Sequence, residues 1–184
     1  MEELYRLYFK PFPRIFTDRL LLRLPERGDV NDMFELCRDE RVSHYSDWSP
    51  HRTPADSRDY IAFLLKKYRK NSCFTFGITL RESGRLIGTA SIVEINYNYK
   101  IAQIGYSLNT AYHHMGYATE AVGALCGFCF QKLGTERLEA KVMCENLPSE
   151  RLLLRLGFKK EAMLKKGAVC KGKTVDVNLF SLTV

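Results

Sequence analysis

Hydrophobic residues recur at helical spacing early in the chain and alternate with polar residues further on. A leucine-rich run at 20–24 predicts a first strand that ends at Pro25. After Asp29, a good N-cap, apolar residues at intervals of three and four predict a helix. A second helix is predicted to open at Thr53 and Pro54, because threonine suits the N-cap and proline suits the first helical position.

From residue 73 onward the apolar positions follow a period of two, which predicts strands. The predicted strands are 73–80, 85–96 and 100–108. Because only short polar turns separate them, they are expected to form an antiparallel meander.

The last part of the chain returns to helices and then to strands. A long helix is predicted from Gly116 to about Leu133, and the strand that follows at 136–143 is far enough along the chain to lie parallel to the strand before the helix. Asn146 caps a short helix, which Gly157 ends. Two further strands are predicted at 158–166 and 174–182. This order of elements predicts an α+β domain with a mixed sheet.

The composition fits one globular domain. The 184 residues are 46% hydrophobic and 27% charged, so we expect a single domain over 1–184, with an aromatic arm at 1–14 that packs on it. No apolar run approaches the length of a membrane span, the N-terminus does not resemble a signal peptide, and the six cysteines are sparse. A cytoplasmic protein with reduced thiols is therefore expected.

The net charge of +7 suits a polyanionic partner, such as a phosphorylated cofactor, a ribosome or a nucleic acid. It does not choose among them, and the spread of Lys and Arg along the chain also fits a solvated basic surface.

Two segments carry candidate chemistry. At 112–121 a strand gives way to a helix through Gly116, and the free N–H groups of such a helix start can bind pyrophosphate. A plain helix start that needs one glycine explains this segment equally well. The second segment, 146–158, is a capped helix after a strand that is predicted to be the parallel neighbour of the first. Parallel strands of this kind leave a ligand crevice at their carboxyl ends.

Together these segments resemble the GNAT superfamily of acetyl-CoA-dependent N-acetyltransferases, and within it the RimJ/RimL-like branch that acts on ribosomal proteins. The matching segments are 17–23, 87–88, 104–108, 116–121, 146–149 and 156–158. The resemblance implies the GNAT fold, a strongly twisted mixed sheet of about seven strands with helices on both faces. It also implies acetyl-CoA as cosubstrate and no metal.

By this resemblance, the backbone of the turn holds the CoA pyrophosphate, the pantetheine arm lies along 104–108, and Ser149 faces the sulfur. The implied cofactor-binding residues are Ser107, Leu108, His114, Met115, Gly116, Tyr117, Ala118, Thr119, Asn146 and Ser149. Ser149 would donate a hydrogen bond or a proton to the departing thiolate. A local backbone bond in the first turn of a helix is the alternative role for Ser149.

The chain departs from the family pattern at two places. His113 stands where Gln or Arg is usual, and His114 and Met115 stand where relatives often carry Gly and then Lys or Arg. The phosphate site should therefore depend on backbone amides, with one cation fewer. Gln103 stands where relatives often carry Glu, and glutamine cannot accept a proton as a general base.

The base is therefore open among several groups. Glu94 is the nearest carboxylate by pattern and is the candidate catalytic base; if its strand alternates from Ile92, Glu94 shares a partly buried face, which would raise its pKa. Asp47 and His44, in an irregular aromatic segment, are further candidates, and a water relay is an equal alternative.

The expected function is direct transfer of acetyl from acetyl-CoA to a primary amine, with the carbonyl oxygen stabilised by a strand N–H near Leu108. The acceptor is either a protein N-terminal amine, as for the ribosomal-protein relatives, or a small amine. Two alternatives are a CoA-binding regulatory module without catalysis and a basic ribosome- or RNA-binding protein. No membrane or DNA partner is expected, and a homodimer is compatible with the sequence.

Two other motifs are not expected to carry chemistry. Cys126 and Cys129 form a C-x-x-C motif, but they begin about ten residues into the long predicted helix, far from the helix start where a reactive pair sits, so core packing is expected. The pair His113 and His114 has no carboxylate or cysteine beside it, so a metal site is not expected there.

Overall fold

The computed structural model describes residues 8–184, so the part of the predicted aromatic arm before Tyr8 lies outside the described residues. The strands are β1 (Ile15–Phe16), β2 (Leu20–Arg23), β3 (Phe74–Leu80), β4 (Leu86–Asn96), β5 (Ile101–Leu108), β6 (Arg137–Met143), β7 (Lys159–Cys170) and β8 (Lys173–Thr183). The helices are α1 (Val30–Cys37), α2 (Glu40–Ser43), α3 (Pro54–Arg69), α4 (Tyr117–Gln131) and α5 (Leu147–Arg155).

The eight strands form one mixed sheet in the order β1-β2-β3-β4-β5-β6-β8-β7. β5 and β6 run parallel, joined by the crossover through α4, and the other neighbouring pairs are antiparallel. The predicted α+β class with a mixed sheet is therefore confirmed. The sheet has one strand more than the seven expected, because a two-residue strand, Ile15–Phe16, pairs with β2. A run of two residues is too short to leave a periodic pattern in the sequence.

The two faces of the sheet carry separate buried clusters. Ile78 and its same-face neighbours pack with α4 and α5, whereas Leu86 packs with α1, α2 and α3. Leu86 lies opposite Thr79 in the register, the residue next to Ile78 in β3, so the two clusters occupy opposite faces. Helices thus cover both faces, as predicted.

The described part of the arm, from Tyr8 onward, packs on the body. Phe9 is buried, with its ring centroid 4.0 Å from that of Phe74, and its carbonyl accepts a hydrogen bond from the Tyr68 hydroxyl at 2.6 Å. Phe12 packs on Phe76 with ring centroids 4.6 Å apart. These contacts join the start of the described chain to α3 and β3.

β5 and β6 separate at their carboxyl ends. Their parallel pairing runs from Ile101 opposite Arg137 to Gln103 opposite Glu139 and then stops, although β5 continues to Leu108. Beyond this point β5 stays paired with β4, and β6 stays paired with β8. The two strands therefore leave a gap between them, the crevice predicted from the sequence, and α4 and α5 begin at its open end.

Candidate active site

Two residues of the loop between β5 and α4 have a left-handed backbone conformation. After a short 3₁₀ helix at Thr110–Tyr112, His114 has a φ of 63° and Gly116 a φ of 80°. Gly116 is the N-cap of α4, and its carbonyl accepts the first helical bond, from the Glu120 N–H at 3.0 Å. Glycine adopts a positive φ without strain, which explains the need for glycine at the N-cap.

The backbone amides of this turn are free to bind a ligand. Within residues 8–184, none of the N–H groups from 114 to 119 donates a hydrogen bond to another group of the protein. They lie at the amino end of the 15-residue helix α4, where the helix dipole is positive. The arrangement favours a bound anion such as pyrophosphate. We call this segment, residues 114–119, the amide turn.

The side chains in and beside the amide turn differ in their surroundings. His113, just before it, bonds through Nε2 to the Leu108 carbonyl oxygen at 3.1 Å, so its ring closes the loop back onto β5. His114 and Met115 are exposed. Ala118 and Thr119 are half-buried in the first turn of α4. The expectation that the phosphate site depends on backbone amides fits this geometry.

Sequence reasoning missed the main support of this turn, Arg19, which lies just before β2. Its Nη1 donates to the Met115 carbonyl oxygen at 2.9 Å, and its Nε donates to Glu120 Oε2 at 2.7 Å. The guanidinium also lies 4.3 Å from the centre of the Tyr117 ring. Glu120 Oε1 accepts further bonds from the Thr17 hydroxyl at 2.6 Å and from the Arg19 N–H at 3.0 Å. These groups are about 100 residues apart in sequence, so local spacing could not reveal the contact.

At the open end of the crevice, Ser149 and Tyr106 meet. The Ser149 hydroxyl lies 2.7 Å from the Tyr106 hydroxyl, and the Asn146 side-chain oxygen accepts the Ser149 N–H at 3.2 Å as the N-cap of α5. Asn146 thus caps the helix, as predicted, and the Ser149 hydroxyl is held against β5 by Tyr106. Tyr106 joins the site as a group that the sequence reasoning did not single out.

Tyr106 stays protonated at neutral pH. Burial raises the pKa of its phenol to about 12, although the hydrogen bond with Ser149 works in the opposite direction. A protonated Tyr106 can donate to Ser149, which leaves the serine proton available for a third group. The pair therefore forms a short hydroxyl chain from β5 to α5.

Ser107 and Leu108 lie along the β5 side of the crevice. The Ser107 hydroxyl lies 2.9 Å from the Thr89 hydroxyl of β4, so its side chain is engaged within the sheet. Gly88 lies opposite Leu108, and a Cβ at Gly88 would come within 2.4 Å of the Ser107 carbonyl oxygen. Glycine therefore allows β4 to approach this end of β5. The Asn109 N–H donates to the Ile87 carbonyl oxygen, so the backbone groups of Asn109 and, by alternation, of Ser107 face β4. A ligand in the crevice would therefore meet the backbone of Leu108, and the expected contact with Ser107 is not available to its backbone groups.

The expectation that Glu94 shares a partly buried face with Ile92 is wrong. A β-bulge lies between Ile92 and Glu94, so Ile92 pairs with Ile104 and Glu94 pairs with Gln103. Directly opposed residues share a face, which places Glu94 on the face of Gln103, opposite to that of the buried Ile92. Glu94 is exposed there, not partly buried. A bulge cannot be read from alternation alone.

Gln103 thus has a carboxylate on each side. Glu94 is its partner in β4, and Glu139 is its partner in β6. Glu139 accepts a hydrogen bond from Arg137 Nε at 2.8 Å, and Arg137 also pairs with Glu161 at 2.6 Å. The Glu94 carboxylate makes no hydrogen bond or ion pair with any residue from 8 to 184. Gln103 is also the last residue of β5 that pairs with β6, so these groups lie where the crevice begins.

The other candidate bases lie in the exposed segment between α2 and α3. His44 and Asp47 are both exposed. The neighbouring Tyr45 hydroxyl donates to the Glu145 carbonyl oxygen at 3.5 Å, and Cys170 Sγ donates to the Ser46 carbonyl oxygen at 3.2 Å. This segment therefore reaches the loop between β6 and α5, beside Asn146.

The C-x-x-C cysteines pack in the core, as predicted. Cys126 and Cys129 are buried in α4, and burial raises the pKa of Cys126 to about 12 and that of Cys129 further. Across the described chain, no three His, Cys, Asp or Glu side chains converge as metal ligands would. None of the helices in residues 8–184 combines the length and apolar character needed to span a bilayer.

Comparison with known proteins shows the family to which the chain belongs. The family model of the acetyltransferase (GNAT) domain matches residues 19–159. An uncharacterized N-acetyltransferase, p20, of Bacillus licheniformis is 34% identical over 91% of the chain and 94% of its own length. The [ribosomal protein uS5]-alanine N-acetyltransferase of Escherichia coli (strain K12) is 27% identical, with 94% of the chain and 92% of its own length covered.

Solved structures agree as well. A Vibrio cholerae protein assigned as a ribosomal-protein-serine acetyltransferase has a TM-score of 0.88 at 28% identity, over 95% of this chain and 99% of that chain. The microcin C7 self-immunity acetyltransferase MccE, solved with acetyl-CoA and AMP, has a TM-score of 0.79 at 22% identity, over 91% and 94%. At that identity the second likeness shows the fold alone.

The extent of the family match and the identity to p20 decide the assignment. The RimJ/RimL-like resemblance is confirmed by the ribosomal-protein acetyltransferases among the relatives and structural neighbours. The chain belongs to the GNAT family and is an N-acetyltransferase of its RimJ/RimL-like branch.

Proposed function

We propose that this N-acetyltransferase uses acetyl-CoA as its cosubstrate and transfers the acetyl group directly to a primary amine while both substrates are bound. The observation that carries the proposal is the run of free N–H groups at 114–119 beside the crevice between β5 and β6. A protein of the same fold has been solved with acetyl-CoA, which supports this choice of cosubstrate.

The amide turn would hold the pyrophosphate, and the pantetheine arm would lie along the crevice. Backbone groups of Leu108 would meet the arm from β5, and Asn146 would meet it from the start of α5. The Asn146 side-chain oxygen already accepts the Ser149 N–H, so its amide NH₂ is the group left for a pantetheine carbonyl. This path brings the sulfur toward Ser149.

Ser149 would stabilise the leaving group. As the amine nitrogen attacks the thioester carbonyl carbon, the C–S bond breaks and the CoA thiolate leaves. With Tyr106 donating to Ser149, the serine proton would hydrogen-bond the thiolate sulfur or pass to it, and in the second case the remaining proton of the acylated nitrogen would restore the serine hydroxyl. A strand N–H near Leu108 would stabilise the negative charge on the carbonyl oxygen.

Glu94 is the proposed general base. A carboxylate at Glu94 lies directly across from Gln103, where relatives often carry Glu, so the neighbouring strand would supply the missing group. Glu139 is as near to Gln103 in the register but is bonded to Arg137, whereas Glu94 has no such partner within residues 8–184. Glu94 would remove a proton from the acceptor ammonium, directly or through one water.

The acceptor is proposed to be a protein N-terminal amine, because relatives with this branch's sequence pattern act on ribosomal proteins. The test is an acetylation screen read by mass spectrometry. Purified protein and acetyl-CoA would be mixed with peptides matching ribosomal-protein N-termini and, in parallel, with polyamines, amino acids and aminoglycosides. Acetylated N-terminal peptides support the proposal, and exclusive acetylation of a small amine contradicts it for the acceptor alone.

The screen also tests transfer itself. Protein that binds CoA but acetylates no amine in the panel would favour a regulatory CoA-binding module over the proposed reaction. Neither that alternative nor a cofactor-free RNA-binding role receives support from the named relatives, which are N-acetyltransferases.

A further inference from the structure

The contacts of Arg19 form a single unit with the amide turn. Its guanidinium binds the Met115 carbonyl oxygen and the Glu120 carboxylate together and lies over Tyr117. A Cβ built on Gly116 would lie 3.3 Å from Arg19 Nη2, so the guanidinium is directly beside the N-cap. Arg19 thus contacts residues on both sides of Gly116, from a different part of the sheet.

Arg19 fixes the orientation of the peptide between Met115 and Gly116. In a planar trans peptide the C=O and the following N–H point in opposite directions, and this peptide is not among the cis bonds of the described chain. Because Arg19 binds the Met115 carbonyl, the Gly116 N–H must point away from the guanidinium. A flipped peptide would instead present a carbonyl oxygen, which repels an anion.

The Glu120 carboxylate lies in the first turn of α4. Burial would raise the pKa of Glu120, but hydrogen bonds from Thr17 and from the backbone and side chain of Arg19 outweigh burial and lower it. Glu120 is therefore ionised at neutral pH. Without a cation beside it, this charge would oppose a pyrophosphate bound at the same helix end.

The Arg19 guanidinium also has N–H groups left to donate to a ligand. A guanidinium has five N–H groups, and Arg19 uses Nε and one Nη1 hydrogen in hydrogen bonds to Glu120 and Met115, while Nη2 lies 2.6 Å from Glu120 Oε2 as an ion pair. One N–H on each Nη has no partner among the described residues, and the side chain is 47% exposed. Arg19 can therefore donate to a ligand while it keeps its protein contacts.

We propose that Arg19 is a positioning residue for the CoA pyrophosphate, an inference that rests on the proposed function. It holds the Met115 carbonyl away from the anion, neutralises the Glu120 carboxylate, and supplies from the start of β2 the positive charge that His114 and Met115 do not provide within the turn.

The test compares ligands with and without the pyrophosphate. Isothermal titration calorimetry would measure the Kd of CoA and of dephospho-CoA, and NMR titration would measure the Kd of pantetheine, which lacks the pyrophosphate. For Arg19→Gln we expect CoA and dephospho-CoA to bind about 10-fold more weakly, while pantetheine binds within about twofold of the wild type. Arg19→Lys keeps the positive charge but lacks the planar guanidinium with its several N–H donors, so its CoA affinity should lie between those of Arg19→Gln and the wild type.

Arg81 provides a matched control. It is also exposed, and its Nη1 donates to the carbonyl oxygens of Thr17 at 2.8 Å and Asp18 at 3.2 Å, in the same loop that carries Arg19. Arg81→Gln changes the net charge by the same amount but removes no contact to 114–120. It should bind CoA within about twofold of the wild type.

A second variant separates charge from folding. In the Arg19→Gln background the Glu120 carboxylate is uncompensated, so adding Glu120→Gln should recover about threefold in CoA affinity. Unchanged CoA affinity in Arg19→Gln, or an equal loss for pantetheine and CoA, would overturn the inference. Wild-type protein that binds no CoA at all would overturn the proposed function, and the inference would fall with it.

Discussion

Two parts of the site differ in how they are built: the amide turn, which is the proposed cofactor end, and the group of Tyr106, Ser149 and Glu94, which is the proposed reaction end. At the cofactor end, the amide turn is held by a salt-bridged arginine, a ring contact, a left-handed glycine and a histidine bonded back to β5. At the reaction end, the hydroxyls of Tyr106 and Ser149 form one short chain, and the carboxylate of Glu94 is exposed and unpaired within the described residues.

The two parts suit different chemical tasks. Binding a pyrophosphate needs a fixed set of amides that does not change between free and bound protein, so the supports are numerous. Removing a proton from a variable amine needs a carboxylate that solvent and substrate can reach. Variants at the cofactor end should therefore change CoA affinity, and variants at the reaction end should change turnover.

Gly116→Glu should have the largest effect. It places a non-glycine residue at a φ of 80° and a negative charge in the amide turn, so we expect CoA affinity to fall about 1,000-fold, equivalent to about 4 kcal/mol. Calorimetry with CoA measures this. Gly84→Glu is the control, because Gly84 also has a positive φ, of 71°, but lies in open space. Unchanged CoA affinity in Gly116→Glu would contradict the assignment of the phosphate site to the amide turn.

Glu94→Gln should have the next largest effect, on turnover. Loss of the proposed base should lower kcat about 100-fold with CoA affinity unchanged. Glu139→Gln is the matched control on the other side of Gln103 and should leave kcat within about threefold. The proposal for Glu94 fails if the two variants lose turnover equally, or if only Glu139→Gln does. Steady-state acetyl transfer to the acceptor found in the screen provides the measurement.

Ser149→Ala should lower kcat about 10-fold, because the thiolate loses its hydrogen-bond donor. CoA affinity should change less than twofold, since Asn146 still caps α5. Single-turnover kinetics separate the chemical step from product release. A full-rate variant would leave Ser149 only its local structural role.

Tyr106→Phe should have the smallest effect, about threefold on kcat, because Ser149 keeps its own proton and loses only the hydroxyl that orients it. The same kinetics in Ser149→Ala and in the double variant test the chain. If the hydroxyls act together, the double variant loses no more than Ser149→Ala alone. Additive losses would show that they act separately.

Much of the fold could be predicted from local patterns. The predicted long helix from Gly116 corresponds to α4 at Tyr117–Gln131, and the predicted strand 174–182 corresponds to β8 at Lys173–Thr183. Such elements bury one face each, so their periodicity records the core. The four-residue helix α2 was not predicted, because one turn is too short to show a period.

The site was predictable only in part. The amide turn and the Asn146 cap have local signals, a glycine before a helix and an asparagine before a proline-containing first turn. The contact of Arg19 with Glu120 joins residues 101 positions apart, and the face of Glu94 depends on a bulge whose extra residue reverses the alternation. Both depend on the register of strands, which no single segment contains.

The most direct test of the account is a backbone amide NMR titration of ¹⁵N-labelled protein with CoA. We predict that the amide resonances of residues 114–119 shift together and saturate with CoA, while those of the control loop around Gly84 do not move. Shifts confined to other basic surfaces, with the amides of 114–119 unchanged at saturation, would contradict the account.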